Sequence, residues 1–169
     1  MKKVIRRLLL LAFVVFGILF LGYISLGSPK FPDPPPHSVQ SMEDADIEDP
    51  LRRAYFTNYT REQIIAHYKD QFRYRPFTME LNYPPEDAGT LVRDQTRSYY
   101  LEELVHPFRE SLYINGFIPS KAQDDIWYKG VHYEEKITIK YVPSSLGLRI
   151  FMAILTLGAI YWMIKEYAG

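Results

Sequence analysis

The residues best able to do chemistry are a few carboxylates and histidines, and their spacing is the first thing to weigh. Glu103-x-x-His106 has the i, i+3 spacing of carboxylate–histidine metal sites in helical bundles. Such sites need the motif twice, with further carboxylates on neighbouring helices. Here it occurs once, with Pro107 beside it. The expected reading is an ordinary histidine, with no metal. His37, His67 and His132 have no ligand partner at a diagnostic spacing. The doublets Glu102-Glu103 and Glu134-Glu135 could supply acid and base only if a cleft brought them together. Adjacent strand residues point to opposite faces, so each doublet is expected to put one carboxylate in solvent. Arg93 and Arg97 would share a face of a helix and could hold an anion, although a solvated basic face explains them as well.

The chain contains no cysteine, which removes thiolate catalysis, disulfides and Cys-ligated metal together. No Gly-rich phosphate loop, nucleophile elbow or HExxH helix occurs. Asn58-Tyr59-Thr60 is a glycosylation sequon, but Thr60 already has a structural role as a helix cap. No catalytic, cofactor-binding or metal-binding residue is therefore assigned, and no cofactor is expected.

The elements that would position these residues lie between two apolar runs. Mean hydropathy is −0.18, an average that hides the concentration of apolar residues at the ends. Leu8 to Leu26 is uncharged, and 14 of its 19 residues are Leu, Ile, Val or Phe, enough to cross a hydrocarbon core of about 30 Å. The second span, 144–164, starts at Ser144 or Ser145 after Pro143. Arg149 is expected to snorkel to the outer headgroups, with Tyr161, Trp162 and Lys165 at the inner interface.

Lys2, Lys3, Arg6 and Arg7 precede the first span, which the positive-inside rule reads as a cytoplasmic N-terminus (1–7). Two spans then return 165–169 to the cytoplasm. The local charge around the second span argues the opposite way, but long loops cross membranes largely regardless of charge. Ser25-Leu26-Gly27 resembles a signal-peptide cut, yet the apolar run is longer than the usual 7–15 residues, so an anchor is expected.

Between the spans, 27–50 reads as a proline- and acid-rich linker, a stalk or a plain connection. The segment 51–143 reads as an extracytoplasmic α+β domain, an antiparallel sheet of four or five strands with helices on one face. Ala54 to Thr57 suggests a strand. Thr60 and Gln63 have capping-box spacing for a helix to about Phe72, with Ile64, Ile65, Tyr68 and Phe72 on one stripe. Thr78 to Tyr83 and Ile137 to Tyr141 alternate as strands, and Leu112 to Phe117 suggests another. Pro84 to Asp87 opens a short helix, and Lys129-Gly130 turns a hairpin. Leu101, Leu104, Val105 and Phe108 have helical spacing, so a helix ending near Val105 is expected there.

From Gly27 to Ser145 there are 14 Lys and Arg against 19 Asp and Glu, which disfavours nucleic acid as a partner. The same stretch holds 18 aromatic residues, which suit either a core or a binding surface. The leading expectation is a membrane-anchored component of the cell envelope that is structural or binds another envelope protein or a second copy of itself. A ligand sensor acting through partner membrane helices is the alternative, and an enzyme of unrecognised type is the third.

Overall fold

The computed structural model describes residues 2–73, 77–93 and 98–167, and the chain divides into two compact units, 29–143 and a pair of terminal segments, 1–28 with 144–169.

The terminal unit is a pair of helices, α1 (Lys2–Ile24) and α5 (Leu146–Tyr167), each long and apolar enough to cross a membrane. Ser145 caps α5, its hydroxyl accepting from the Leu148 N–H at 3.2 Å. The helices pack antiparallel: Phe13 meets Tyr161 with ring centroids 6.1 Å apart, and Gly17 faces the Leu157 side chain. Ala153 is buried, whereas a side chain at Gly147 or Gly158 would meet open space. Arg149, expected at the outer headgroups, turns towards the end of α1. It is only 6% exposed and donates to the Leu26 carbonyl (3.4 Å) and the Ser28 hydroxyl (3.2 Å). The end of a helix leaves carbonyls without intrahelical donors, and a guanidinium has donors to spare.

The central unit is α+β. Its antiparallel sheet has six strands in the order β1-β2-β8-β5-β4-β3. These are β1 (Val39–Gln40), β2 (Arg52–Thr57), β3 (Met79–Tyr83), β4 (Tyr100–Val105), β5 (Ser111–Phe117) and β8 (Glu135–Val142). A separate hairpin joins β6 (Ile126–Tyr128) to β7 (Val131–Tyr133), so the expectation of four or five strands falls short. Lys129 (φ 53°) and Gly130 (φ 79°) are both left-handed in the hairpin's two-residue turn, as its right-handed twist requires.

One face of the sheet packs on α3 (Arg61–Gln71). Ile64, Ile65, Tyr68 and Phe72 meet Tyr55, Tyr100, Leu104, Leu112, Ile114, Ile137, Ile139 and Tyr141 in the main core. The capping box is formed: the Thr60 hydroxyl accepts from the Gln63 N–H and the Gln63 side chain from the Thr60 N–H.

The other face is covered as well, which corrects the expectation of helices on one side only. Ala88 of α4 (Ala88–Leu91), reached through a single 3-10 turn, packs with Val92 on Leu101. Phe56 packs on Ile126 and Tyr133, and α2 (Asp44–Ile47) sends Asp46 to an ion pair with Lys136 at 2.9 Å.

This double covering explains why the helix expected before Val105 is a strand. Leu101 and Leu104 lie on opposite faces, and both faces are buried. A strand covered on both sides carries apolar residues at odd and even positions, which can imitate helical spacing. Nor is 29–50 a free stalk. β1 joins the sheet, Ser41 is buried, the Pro29 carbonyl accepts from the Tyr141 hydroxyl (3.2 Å), and the Asp33 N–H donates to the Gln71 side chain (2.7 Å).

Candidate functional site

Arg61 is the first residue of α3, and two hollows flank it. The capping box fixes where the helix begins, and so fixes where this guanidinium stands. Its Nε donates to Glu102 Oε1 at 2.7 Å, and the two form an ion pair. Its guanidinium also lies 5.3 Å from the centre of the Tyr100 ring. Glu102 and Tyr100 share the helix-facing side of β4, two residues apart.

The first hollow, about 320 Å³, lies between α3 and strands β3 and β4 and is lined by Arg61, Glu62, Ile65, Ala66, Lys69, Glu80 and Glu102. Its charges are paired internally, Arg61 with Glu102 and Lys69 with Glu80. Burial and a hydrogen bond to Glu80 push Glu102 above the usual carboxylate range. Burial pushes Glu80 the same way, but Lys69, Glu102 and Arg61 outweigh it and hold its carboxyl below that range. One proton between the two carboxyls satisfies both directions. It also gives a partner to Glu102 Oε2, which is buried without one while the group is ionised.

The second hollow, about 420 Å³, is lined by Asn58, Tyr59, Thr60, Arg61, Glu62, Tyr99, Ile118, Glu134 and Glu135. Glu135 is 1% exposed and accepts a hydrogen bond from the Tyr100 hydroxyl through Oε1. Burial pushes its carboxyl up to about 7, with the charge of Glu62 adding to the effect against the Tyr100 hydrogen bond. Burial, with the charge of Glu135, also drives the Tyr100 phenol well above its ordinary range. Gly116 on β5 lies beneath this pair. A Cβ there would collide with the Tyr100 ring and the Glu135 carboxylate, so only glycine admits the contact.

Comparison with known protein families, curated proteins and solved structures finds no match. The chemistry of this site is therefore argued from its residues alone.

The residues singled out by spacing fall elsewhere. Glu103 lies on the far face of β4 and accepts from the Tyr83 hydroxyl at 2.6 Å, a bond that with partial burial pushes the phenol up to about 12. His106 is on the near face, stacked on Phe72 at 4.1 Å between centroids, with Nδ1 2.8 Å from Glu110 and Nε2 3.1 Å from the Phe72 carbonyl. Glu103 and His106 are thus separated by the sheet, because an i, i+3 pair meets on a helix and parts on a strand. Arg93 follows α4 in a left-handed conformation (φ 62°) and pairs with Glu48 at 3.3 Å. Arg97 lies outside the described residues. His67 stands 2.7 Å from the Gln71 side chain, and His132 faces Trp127 at 5.2 Å. The Asn58 side chain accepts from the Glu134 N–H at 3.1 Å.

Both members of the Glu102-Glu103 doublet are buried, against the expectation that one would face solvent. Of Glu134-Glu135 only Glu134 is exposed. A signal for Glu135 was present, since the alternation of Ile137, Ile139 and Tyr141 extends back two residues to it. Glu102 had a similar one, between Tyr100 and Leu104.

Proposed function

We propose that this chain is a membrane-anchored, extracytoplasmic component of the cell envelope that works by binding another envelope protein. Its two apolar helices are the anchors, with both termini cytoplasmic as the basic residues before Leu8 favour. The observation that carries the reading is the edge of the sheet at β3. Among the described residues β3 has a strand neighbour on one side only, and Met79 (52% exposed) and Leu81 are open on one of its faces. An edge of five residues with exposed apolar side chains is a template for strand addition, and proteins that do not use such an edge shield it.

Phe108 adds to this surface. It is 77% exposed, at the end of β4 where Val105 pairs with Met79. It occupies the third position of the turn closed by the Arg109 N–H on the His106 carbonyl (2.9 Å), at φ 63° after Pro107. That position favours glycine, and a left-handed Phe costs of order 1–2 kcal/mol. An exposed aromatic held at such a cost suits a recognition role.

The test is photo-crosslinking in cells from position 81. The expected result is a reproducible protein adduct that is lost when Met79→Lys is introduced, with the amount of membrane-inserted chain unchanged. Adducts to lipid alone, or a protein adduct indifferent to Met79→Lys, would remove this reading.

A further inference from the structure

We propose that the second hollow is a binding site for a primary alkylammonium group, with Glu135 as counter-ion and Tyr59 and Tyr99 as aromatic walls. Three carboxylates line it, Glu62, Glu134 and Glu135, against the single cation Arg61. That cation is already engaged by Glu102. The hollow therefore presents more unbalanced negative charge than its neighbour, where Arg61 and Lys69 face three carboxylates.

A cluster of acids is usually just a solvated surface, so the decisive feature is the one lining carboxylate that is buried. Glu135 is buried, one of its oxygens accepts from Tyr100, and the other, Oε2, is equally buried with no hydrogen-bond partner among the described residues. An acceptor left open in a buried position is costly, and a donor supplied by a ligand would complete it. An ammonium group brings three donors and the required charge. Tyr59 and Tyr99 offer faces for the cation and for an aliphatic stem.

One force opposes this. The positive end of α3 lies at the same place and disfavours a cation. The capping box already satisfies the Gln63 N–H. Glu62, held below the usual carboxylate range by its own backbone N–H and the Thr60 hydroxyl, places a full negative charge against that end. Among the described residues no group of three His, Cys, Asp or Glu is arranged to hold a metal ion. The chemistry is shared by a free aliphatic amine and by a lysine side chain of a polypeptide. A volume of about 420 Å³ takes either.

The experiment is calorimetric titration of the full-length chain in detergent with 1,5-diaminopentane, whose charges keep it out of micelles. Nα-acetyl-lysine amide is the second ligand, and 1,5-pentanediol is the neutral control. Saturable binding of at least one amine in the millimolar range or tighter is expected, with none for the diol. Preference for the lysine derivative assigns the ammonium to a polypeptide, and preference for the diamine to a free amine. Glu135→Gln keeps the shape and the Tyr100 hydrogen bond, and should weaken binding at least tenfold. Tyr99→Ala alters only an exposed wall and should weaken it severalfold, which guards against a folding artefact in the first variant. Flat titrations with both amines, equal binding of the diol, or unchanged affinity in both variants would overturn the site.

Discussion

Glu135 makes a pH-dependent demand on the fold as well as on any ligand. Its carboxyl is raised from 4.5 to about 7, burial being the main cause, so between those values the folded chain holds a proton that the unfolded chain has lost. Stability from this group is therefore fully present below about pH 4.5 and is lost as pH rises through 7. The difference is about 3 kcal/mol, since each pH unit of displacement is worth about 1.4 kcal/mol. Glu135→Gln should remove that slope and leave the central unit more stable than wild type at pH 8, with little change at pH 4.5. Urea unfolding followed by circular dichroism at the two pH values checks this, and a mutant no more stable than wild type at pH 8 contradicts it. At this scale the sequence was partly legible. Glu135 continues the apolar alternation of β8, so its burial could be read, but the Tyr100 hydroxyl that meets it lies 35 positions away and only the sheet register brings the two together.

The helix α3 shows how one element sets the geometry of the site. Its start depends on a reciprocal pair, Thr60 and Gln63, and the next residue after the cap is Arg61, which divides the two hollows. Thr60→Ala should cost about 1 kcal/mol of stability. Because each partner of the box depends on the other, Gln63→Ala added to Thr60→Ala should cost less than Gln63→Ala alone, a non-additivity that chemical denaturation of the four variants would measure. Full additivity would mean that the two side chains cap independently. Elements marked by a local period or a local turn were legible, among them α3, β3 and the Lys129-Gly130 hairpin, because period and turn chemistry act within a short window. β4 was not. Its two buried faces erase the two-residue period, and the double covering comes from α3 on one face and α4 on the other, which no local window contains. The proline-rich segment after α1 was misread for a related reason. Its composition favours an extended backbone, and an extended backbone can also lie along a surface whose partners are remote, as Tyr141 and Gln71 are for this one.

At the scale of the whole molecule, the antiparallel contacts of α1 and α5 place Lys2 and Tyr167 at the same end of the helix pair. The contacts run Phe13 to Tyr161, Gly17 to Leu157 and Leu26 to Arg149, a steady fall in one number as the other rises. If both helices cross a membrane, the two termini share a side and 29–143 is on the other. The basic residues before Leu8 favour a cytoplasmic terminal side, the orientation proposed above. The absence of cysteine allows a direct check, because every introduced thiol is the only one. Lys3→Cys and Tyr167→Cys should resist an impermeant thiol reagent in intact cells and react after permeabilisation, while Ser120→Cys reacts in both states. Labelling at 3 and 167 with protection at 120 would invert the orientation, and opposite behaviour at 3 and 167 would mean that one of the helices does not span. The tie from Arg149 to the end of α1 gives this arrangement an energetic signature. Arg149→Ala leaves the Leu26 carbonyl without that donor, and the two helices should separate more readily. A disulfide between Cys introduced at Gly17 and Leu157 should form readily in the parent chain and more slowly in the Arg149→Ala background. Equal rates would show that packing elsewhere along the pair, as at the buried Ala153, holds the helices together without Arg149.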